Sequence, residues 1–252
     1  MPSGAILWEG ASRFDGTPIV VIATGIRGLH RSGDHLSNNE KTGPMGQVWI
    51  LPAIAPMFDA VYRTGEDSSV CGSCPLRRFD PSGNMQDREC YVRIHGPAAV
   101  QGAYQRGAYP RMSPREVSRL LCEHDQNVRL GAYGDPGMVP LRVWQDLTAE
   151  APGWTGYTHR WRGLRHAWTY ILMASCDTPE ERELARARGW RTFRVGQSPA
   201  PGEILCPASI EAGKKTTCDR CKLCNGRQVG DVRKDIHIPF HGPMAAKHKE
   251  RT

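Results

Sequence analysis

Long apolar runs are missing from this 252-residue chain, and none approaches the roughly 20 residues that a membrane-spanning helix needs. No membrane partner is therefore expected. Met1 to Glu9 carries neither the basic nor the apolar stretch of a secretion signal, so the expected location is the cytoplasm. Gly-x-Gly-x-x-Gly and Gly-Lys-Ser/Thr are also missing, and Lys214-Lys215-Thr216-Thr217 lacks the glycine framework of a phosphate loop. Ser175 has no base beside it in sequence and no nucleophile motif around it, which removes a serine hydrolase from consideration.

Cysteine, by contrast, is plentiful. There are nine, an odd number, and seven fall into two short-spaced groups. Disulfides of a secreted scaffold fit that pattern poorly, whereas reduced metal ligands fit it well. The C-terminal group is Cys206, then eleven residues, then Cys218, Cys221 and Cys224 at successive two-residue gaps. Such spacing lets a loop turn between ligands, so each thiolate approaches one centre from its own direction. Four sulfurs match a 4Fe–4S cluster or tetrahedral zinc by count, and the Cys-x2-Cys-x2-Cys run favours iron–sulfur, because structural zinc sites usually draw on two separated pairs. The second group is Cys71, Cys74 and, after fifteen residues, Cys90 followed by Tyr91. Three thiolates leave a tetrahedral centre one ligand short. Either His95 completes a structural zinc site, or the position is open to a substrate or cofactor, or Cys206 is shared between the groups.

Strand and helix signals alternate through the second half of the chain. Ile19 to Ala23 and Val48 to Leu51 read as strands separated by a polar loop from Thr24 to Pro44. Ser113-Pro114-Arg115-Glu116 is a capping box opening a helix, in which Cys122 is expected as a small core residue. Val128 to Tyr133 reads as a strand ending in the turn Gly134 to Gly137, followed by a helix with Pro140 in its first turn. Strands are then expected over Thr155–Trp161, Trp168–Ser175, Thr192–Val195 and Glu203–Leu205, with a helix capped by Thr178 and ended by Gly189 between the second and third of them. This order predicts a single α/β domain over residues 1–252, closed as a partial or complete parallel (β/α) barrel. On it sit a metal-binding insert at about 71–91, a cysteine-rich metal-binding segment at about 203–226 and a basic tail at about 243–252.

Working residues of parallel sheets lie just past the carboxyl ends of strands, a rule that selects Asp135, His159 and Arg194 as catalytic candidates. Asp135 either contacts substrate or bonds its own turn. His159 serves as acid, base or phosphate contact, or is a partly buried hydrogen-bonded residue, and Arg194 meets an anion or a structural carboxylate. Trp154, Trp161 and Trp168 with Tyr157, interleaved with Arg160, Arg162 and Arg165, form either a stacking surface for bases or a core strand with a basic flank. A formal net charge of +7 favours anionic partners, of which nucleic acid is the commonest.

Lys41-Thr42-Gly43-Pro44-Met45, Cys71 to Tyr91, Tyr133-Gly134-Asp135-Pro136, Gly156 to Trp161, Met173-Ala174-Ser175 and Cys206-Pro207-Ala208-Ser209 with its trailing cysteines resemble a family of uncharacterised phage and prophage proteins, from about Gly10 to Gly226. That likeness implies the host-cell cytoplasm and no particular activity. The layout also resembles radical S-adenosylmethionine barrel proteins borne by phages. By that resemblance, Cys71, Cys74 and Cys90 with the aromatic Tyr91 hold a cluster that binds S-adenosylmethionine, and the C-terminal four hold an auxiliary cluster. Here the family's three-then-two cysteine spacing is replaced by two and then fifteen. Three functions follow as expectations: a radical-type iron–sulfur enzyme acting on nucleic acid or a nucleotide-derived substrate, a non-catalytic zinc protein that binds nucleic acid, and a phage protein that binds a host protein.

Overall fold

The computed structural model describes residues 4–29, 36–37, 39–77, 79 and 88–240. The basic tail, the centre of the 71–91 insert and part of the Thr24–Pro44 loop lie outside these residues. Three strands open the chain: β1 (Gly4–Ala11), β2 (Pro18–Thr24) and β3 (Gly46–Pro52). They pair antiparallel, β1 with β2 and β2 with β3. Ile19 to Ala23 is apolar at every position and wholly buried, as a strand covered on both faces must be. Four helices follow, namely α1 (Met57–Tyr62), α2 (Ser68–Cys71), α3 (His95–Gln105) and α4 (Pro114–Glu123).

From β4 (Val128–Tyr133) the chain changes to parallel pairing. It continues through α5 (Leu141–Thr148), β5 (Trp154–Thr158), β6 (Met173–Cys176), α6 (Pro179–Ala187), β7 (Thr192–Val195), β8 (Glu203–Leu205), α7 (Cys218–Cys221) and β9 (Asp235–Ile238). The sheet order is β1-β2-β3-β4-β5-β6-β7-β9-β8, with every pairing from β3 onward parallel. The fold is therefore α/β with a nine-stranded, mostly parallel sheet. Two features depart from the all-parallel closed barrel: the antiparallel N-terminal strands, and the linear order in which β1 and β8 stand at opposite ends with no pairing between them among the described residues.

Local sequence chemistry accounts for the helix ends. In α4 the Ser113 hydroxyl accepts from the Glu116 amide at 3.2 Å, and the Glu116 carboxylate accepts from the Ser113 amide at 2.7 Å, the reciprocal box the sequence signals. In α6 the Thr178 hydroxyl caps the Glu181 amide, but the Glu181 carboxylate reaches back one residue further, to the Asp177 amide at 2.8 Å. Val117 and Leu121 face the core from α4, and Cys122 lies one step round the helix on the exposed side, contrary to its expected core role.

Two strand expectations are corrected. β5 stops at Thr158, so His159 and Trp161 stand in the turn beyond it. Of the Trp168–Ser175 segment only the second half is extended; His166–Tyr170 is a 3-10 helix whose Thr169 hydroxyl donates to the His166 carbonyl at 2.8 Å. Trp161, Trp168 and Trp144 are among the largest fully buried side chains, and the Arg162 guanidinium lies 4.2 Å over the Trp161 ring. Trp161 and Trp168 thus serve the core instead of a stacking surface.

Candidate functional site

The carboxyl ends of β4, β5 and β6 deliver Asp135, His159 and Asp177 to one region. Asp135 is buried and fully used: Oδ1 accepts from the Gly137 amide at 2.7 Å and Oδ2 from the His159 amide at 2.8 Å. Its own amide donates at 2.7 Å to the carbonyl of Val70, the last residue before Cys71. Burial raises the Asp135 pKa against the opposing pull of the Thr158 hydroxyl, the His159 charge and the two amides. This carboxylate is therefore the joint between the Cys71 turn and the His159 turn, the plainer of its two expected roles. Gly134, at φ 81°, makes the joint possible, since a Cβ there would lie 2.7 Å from the Ile50 carbonyl oxygen and 3.3 Å from that of Val70.

Cys71, Cys74 and Cys90 are all partly buried free thiols, and Cys71 directly follows the Val70 carbonyl of this joint. The Cys74 amide donates to the Cys71 carbonyl at 3.3 Å, and the Glu89 amide donates to the Leu76 carbonyl at 3.1 Å, which lays the Cys90 segment beside the Cys71 turn. Burial raises the Cys71 pKa, and the charges of Asp67, Cys90 and Cys74 raise it further. Behind them Asp67, with a wholly buried side chain, accepts from Arg77 Nε at 2.7 Å and Arg88 Nη1 at 3.2 Å, while Arg88 also donates to the Arg77 carbonyl at 2.7 Å. Burial raises the Asp67 pKa and the two guanidiniums oppose it. This buried network pins both ends of the insert.

His159 faces Asp177 from the turn after β5. Burial works against its charged form, but the Asp177 carboxylate and the Cys74 thiol outweigh that and raise its pKa well above the ordinary histidine value. Its Nε2 lies 3.6 Å from Asp177 Oδ2, too long for a hydrogen bond, and is a buried nitrogen without a partner. His95, the ligand proposed from sequence, is exposed on α3 with its ring against Phe58 at 5.5 Å. Tyr91 is 60% exposed, so it does not cover a buried centre.

Of the C-terminal cysteines, Cys206 and Cys224 lie in a second buried apolar cluster with Met173, Ile236 and Ile238, and Cys218 packs against it with Tyr157 and Phe193. Cys206 leaves β8 with its amide on the His237 carbonyl at 2.8 Å, and the Cys224 carbonyl accepts from the Gly156 amide of β5 at 3.0 Å. Cys218 and Asp219 donate their amides to the Lys41 and Thr42 carbonyls, and Asn127 Nδ2 donates to the Asp219 carbonyl at 2.9 Å. Burial pushes the Cys224 thiol up to about 12 against the opposing hydrogen bond with Tyr157, and the charges of Cys206, Cys218 and Cys221 raise it further. Burial raises the Cys218 thiol too, with the Lys41 and Arg129 charges opposing it. Sequence reasoning missed Arg191, a buried guanidinium that donates to the Leu223 carbonyl at 2.6 Å and the Asn225 carbonyl at 3.0 Å, on either side of Cys224.

Arg194 takes the structural one of its two expected roles. Its Nε and Nη2 meet the Glu203 carboxylate at 3.0 and 2.6 Å, and Nη2 also donates to the Ser198 carbonyl at 2.7 Å. Among the described residues no helix is long and apolar enough to cross a membrane. Among the described residues no group of three or more His, Cys, Asp or Glu is placed so that it could hold a metal ion. Comparison with known protein families, curated proteins and solved structures finds no match.

Proposed function

We propose that the chain is a metalloprotein in which Cys206, Cys218, Cys221 and Cys224 hold a 4Fe–4S cluster against one face of the sheet. What supports this reading is the packing of Cys206, Cys218 and Cys224 into one apolar cluster beside Tyr157, with Cys221 one turn along α7 from Cys218 and all four thiols free. A cluster held there supplies one-electron transfer. Tyr157 and Phe193, with ring centroids 4.5 Å apart, exclude water from it, and Arg191 fixes the carbonyls beside Cys224.

All nine cysteines are free, which fits a reducing compartment where such thiols stay unpaired. The net charge of +7 supports an anionic, nucleotide-derived or nucleic-acid ligand. Binding of S-adenosylmethionine depends on an open coordination position beside Cys71, Cys74 and Cys90, and the nearness of His159 to Cys74 weighs against it.

Anaerobic purification with iron and sulfide analysis tests the assignment. A brown chain with about four irons, lost on Cys221→Ser, supports it. A colourless chain with zinc lost on the same substitution replaces iron by zinc at the same four ligands, and a chain without metal overturns the proposal.

A further inference from the structure

We propose that Arg13, Arg160, Arg165, Arg188 and Arg227, gathered on the segment between β5 and β6 and flanked by the exposed rings of Phe14 and Tyr170, form a binding surface for single-stranded nucleic acid. The inference deepens the anionic-ligand reading that the net charge supports, and it does not depend on which metal the C-terminal cysteines hold.

Each of the five arginines belongs to the segment from Arg160 to Tyr170 or touches it. Arg13, exposed in the turn between β1 and β2, lays its guanidinium 5.3 Å over the buried Trp168 ring, and the Arg165 carbonyl accepts from the Trp168 amide at 3.0 Å. Arg160 follows β5 by two residues and stands 5.6 Å over the Phe14 ring. Arg188 Nη1 donates to the Arg162 carbonyl at 3.2 Å, and the Arg227 amide donates to the Thr169 carbonyl at 2.6 Å. A Cβ on Gly189 would meet His166 Nε2 at 3.2 Å and Arg227 Nη1 at 3.3 Å, so the Arg227 guanidinium lies beside His166.

Counter-charge is missing from this surface. Among the described residues no carboxylate forms an ion pair with any of the five arginines; Glu181 takes Arg162, and Asp177 faces His159 just before the segment. Asp15, beside Phe14, is used in its own turn, where Oδ1 accepts from the Thr17 amide at 3.0 Å. The guanidiniums of Arg13, Arg165 and Arg227 make no hydrogen bond among the described residues, and Arg160 Nη1 reaches only the weak acceptor Met138 Sδ at 3.5 Å. Burial against Trp168 lowers the Arg13 pKa, and the Arg160 and Arg165 charges lower it further, as like charges facing a common space do. A run of phosphates removes that repulsion and takes the free donors. The rings select the kind of nucleic acid. Phe14 and Tyr170 are each 44% exposed, and a base stacks on such a ring when it is free of a duplex. Arg160 over Phe14, and His166 edge-on to Tyr170 at 5.5 Å, hold the two rings in place.

Fluorescence anisotropy of the full chain tests the surface, with a labelled single strand on the order of 15 nucleotides long and the same sequence as a duplex, each over a salt series. The single strand should bind more tightly than the duplex, with affinity falling as salt rises. Arg13→Ala, Arg165→Ala and Arg227→Ala, all at exposed positions and checked for folding by circular dichroism, should each reduce the logarithmic salt slope by about 0.7. Phe14→Ala should weaken single-strand binding about 5-fold or more at unchanged slope. Arg142→Ala, which removes an exposed arginine paired with Asp146 on α5, should leave slope and affinity unchanged. Binding that keeps its slope in all three arginine variants, or that falls equally in Arg142→Ala, overturns this surface and leaves the anionic-ligand reading standing. No binding at low salt overturns both. Equal affinity for the duplex, no effect of Phe14→Ala, or displacement by inorganic phosphate at the same phosphate concentration overturns the single-strand assignment. Iron content is read separately on the unmodified chain, so failure of the cluster assignment is a distinct result.

Discussion

Arg191 lies buried just before β7, with its guanidinium bonded to the carbonyls of Leu223, Asn225 and Lys234 around the loop that carries Cys224. Burial lowers its pKa, and the nearby Arg233 charge lowers it further, while Asp231 at 3.6 Å opposes them. Removing the guanidinium leaves one buried and two part-buried carbonyls without this donor, a buried one costing about 1–3 kcal/mol when orphaned. Arg191→Met, which keeps the apolar stem, should therefore destabilise the chain by at least about 2 kcal/mol in urea titration and speed metal loss from the C-terminal cysteines to a chelator. Nothing local in Gly189-Trp190-Arg191-Thr192 marks this arginine out from the others in the chain. Its importance lies in carbonyls that come from elsewhere.

At the scale of the element, the strongest local signals set the helix boundaries. The Ser113 box of α4 satisfies two amides that the helix itself leaves unpaired. Ser113→Ala should cost about 1 kcal/mol in thermal or urea unfolding and leave metal content unchanged, because α4 packs on α5 and carries none of the four proposed thiol ligands. The loop after α7 is set differently. A Cβ on Gly226 would lie 2.2–2.4 Å from the Tyr170 and Ile171 backbone, so the chain passes there only as glycine. Sequence pattern identified β2 and β3 by their short continuous apolar runs, and β4, β7 and β8 by apolar residues interleaved with polar ones. It missed β1 and β9 and the helices α1, α2, α3 and α7. In β9, Asp235 and His237 alternate with Ile236 and Ile238, and both polar residues are buried by partners from other elements: Asp235 by Arg182 and the Thr192 amide, and His237 by the Gly196 carbonyl.

Across the whole molecule, buried charge is concentrated where β7, β8 and β9 meet α6. Glu203 has a wholly buried side chain between Arg194 and Arg182. Burial works against its carboxylate, but the Arg194 hydrogen bonds, the Ala200 amide and the Arg182 charge outweigh that and hold its pKa below the ordinary glutamate value. A depressed carboxylate contributes stability that is fully present above the unfolded pKa and is lost as pH falls through the folded one. Acid unfolding followed by circular dichroism should therefore show stability falling below about pH 4.3, and Glu203→Gln should flatten that dependence. The same substitution should cost about 3–5 kcal/mol near neutrality, since two guanidiniums then lose their buried partner.

Spacing and local chemistry were enough to sort seven cysteines into two groups, to show strands and helices alternating after Val128, and to start helices at Ser113 and Thr178. All of these are properties of apolar runs and capping side chains within a few residues of one another. The antiparallel opening of the sheet, the pairing of Arg194 with Glu203, and the meeting of His159 with Asp177 came only with the folded chain. Each depends on residues brought together by strand pairing, and pairing between distant segments leaves no mark in the spacing of either one.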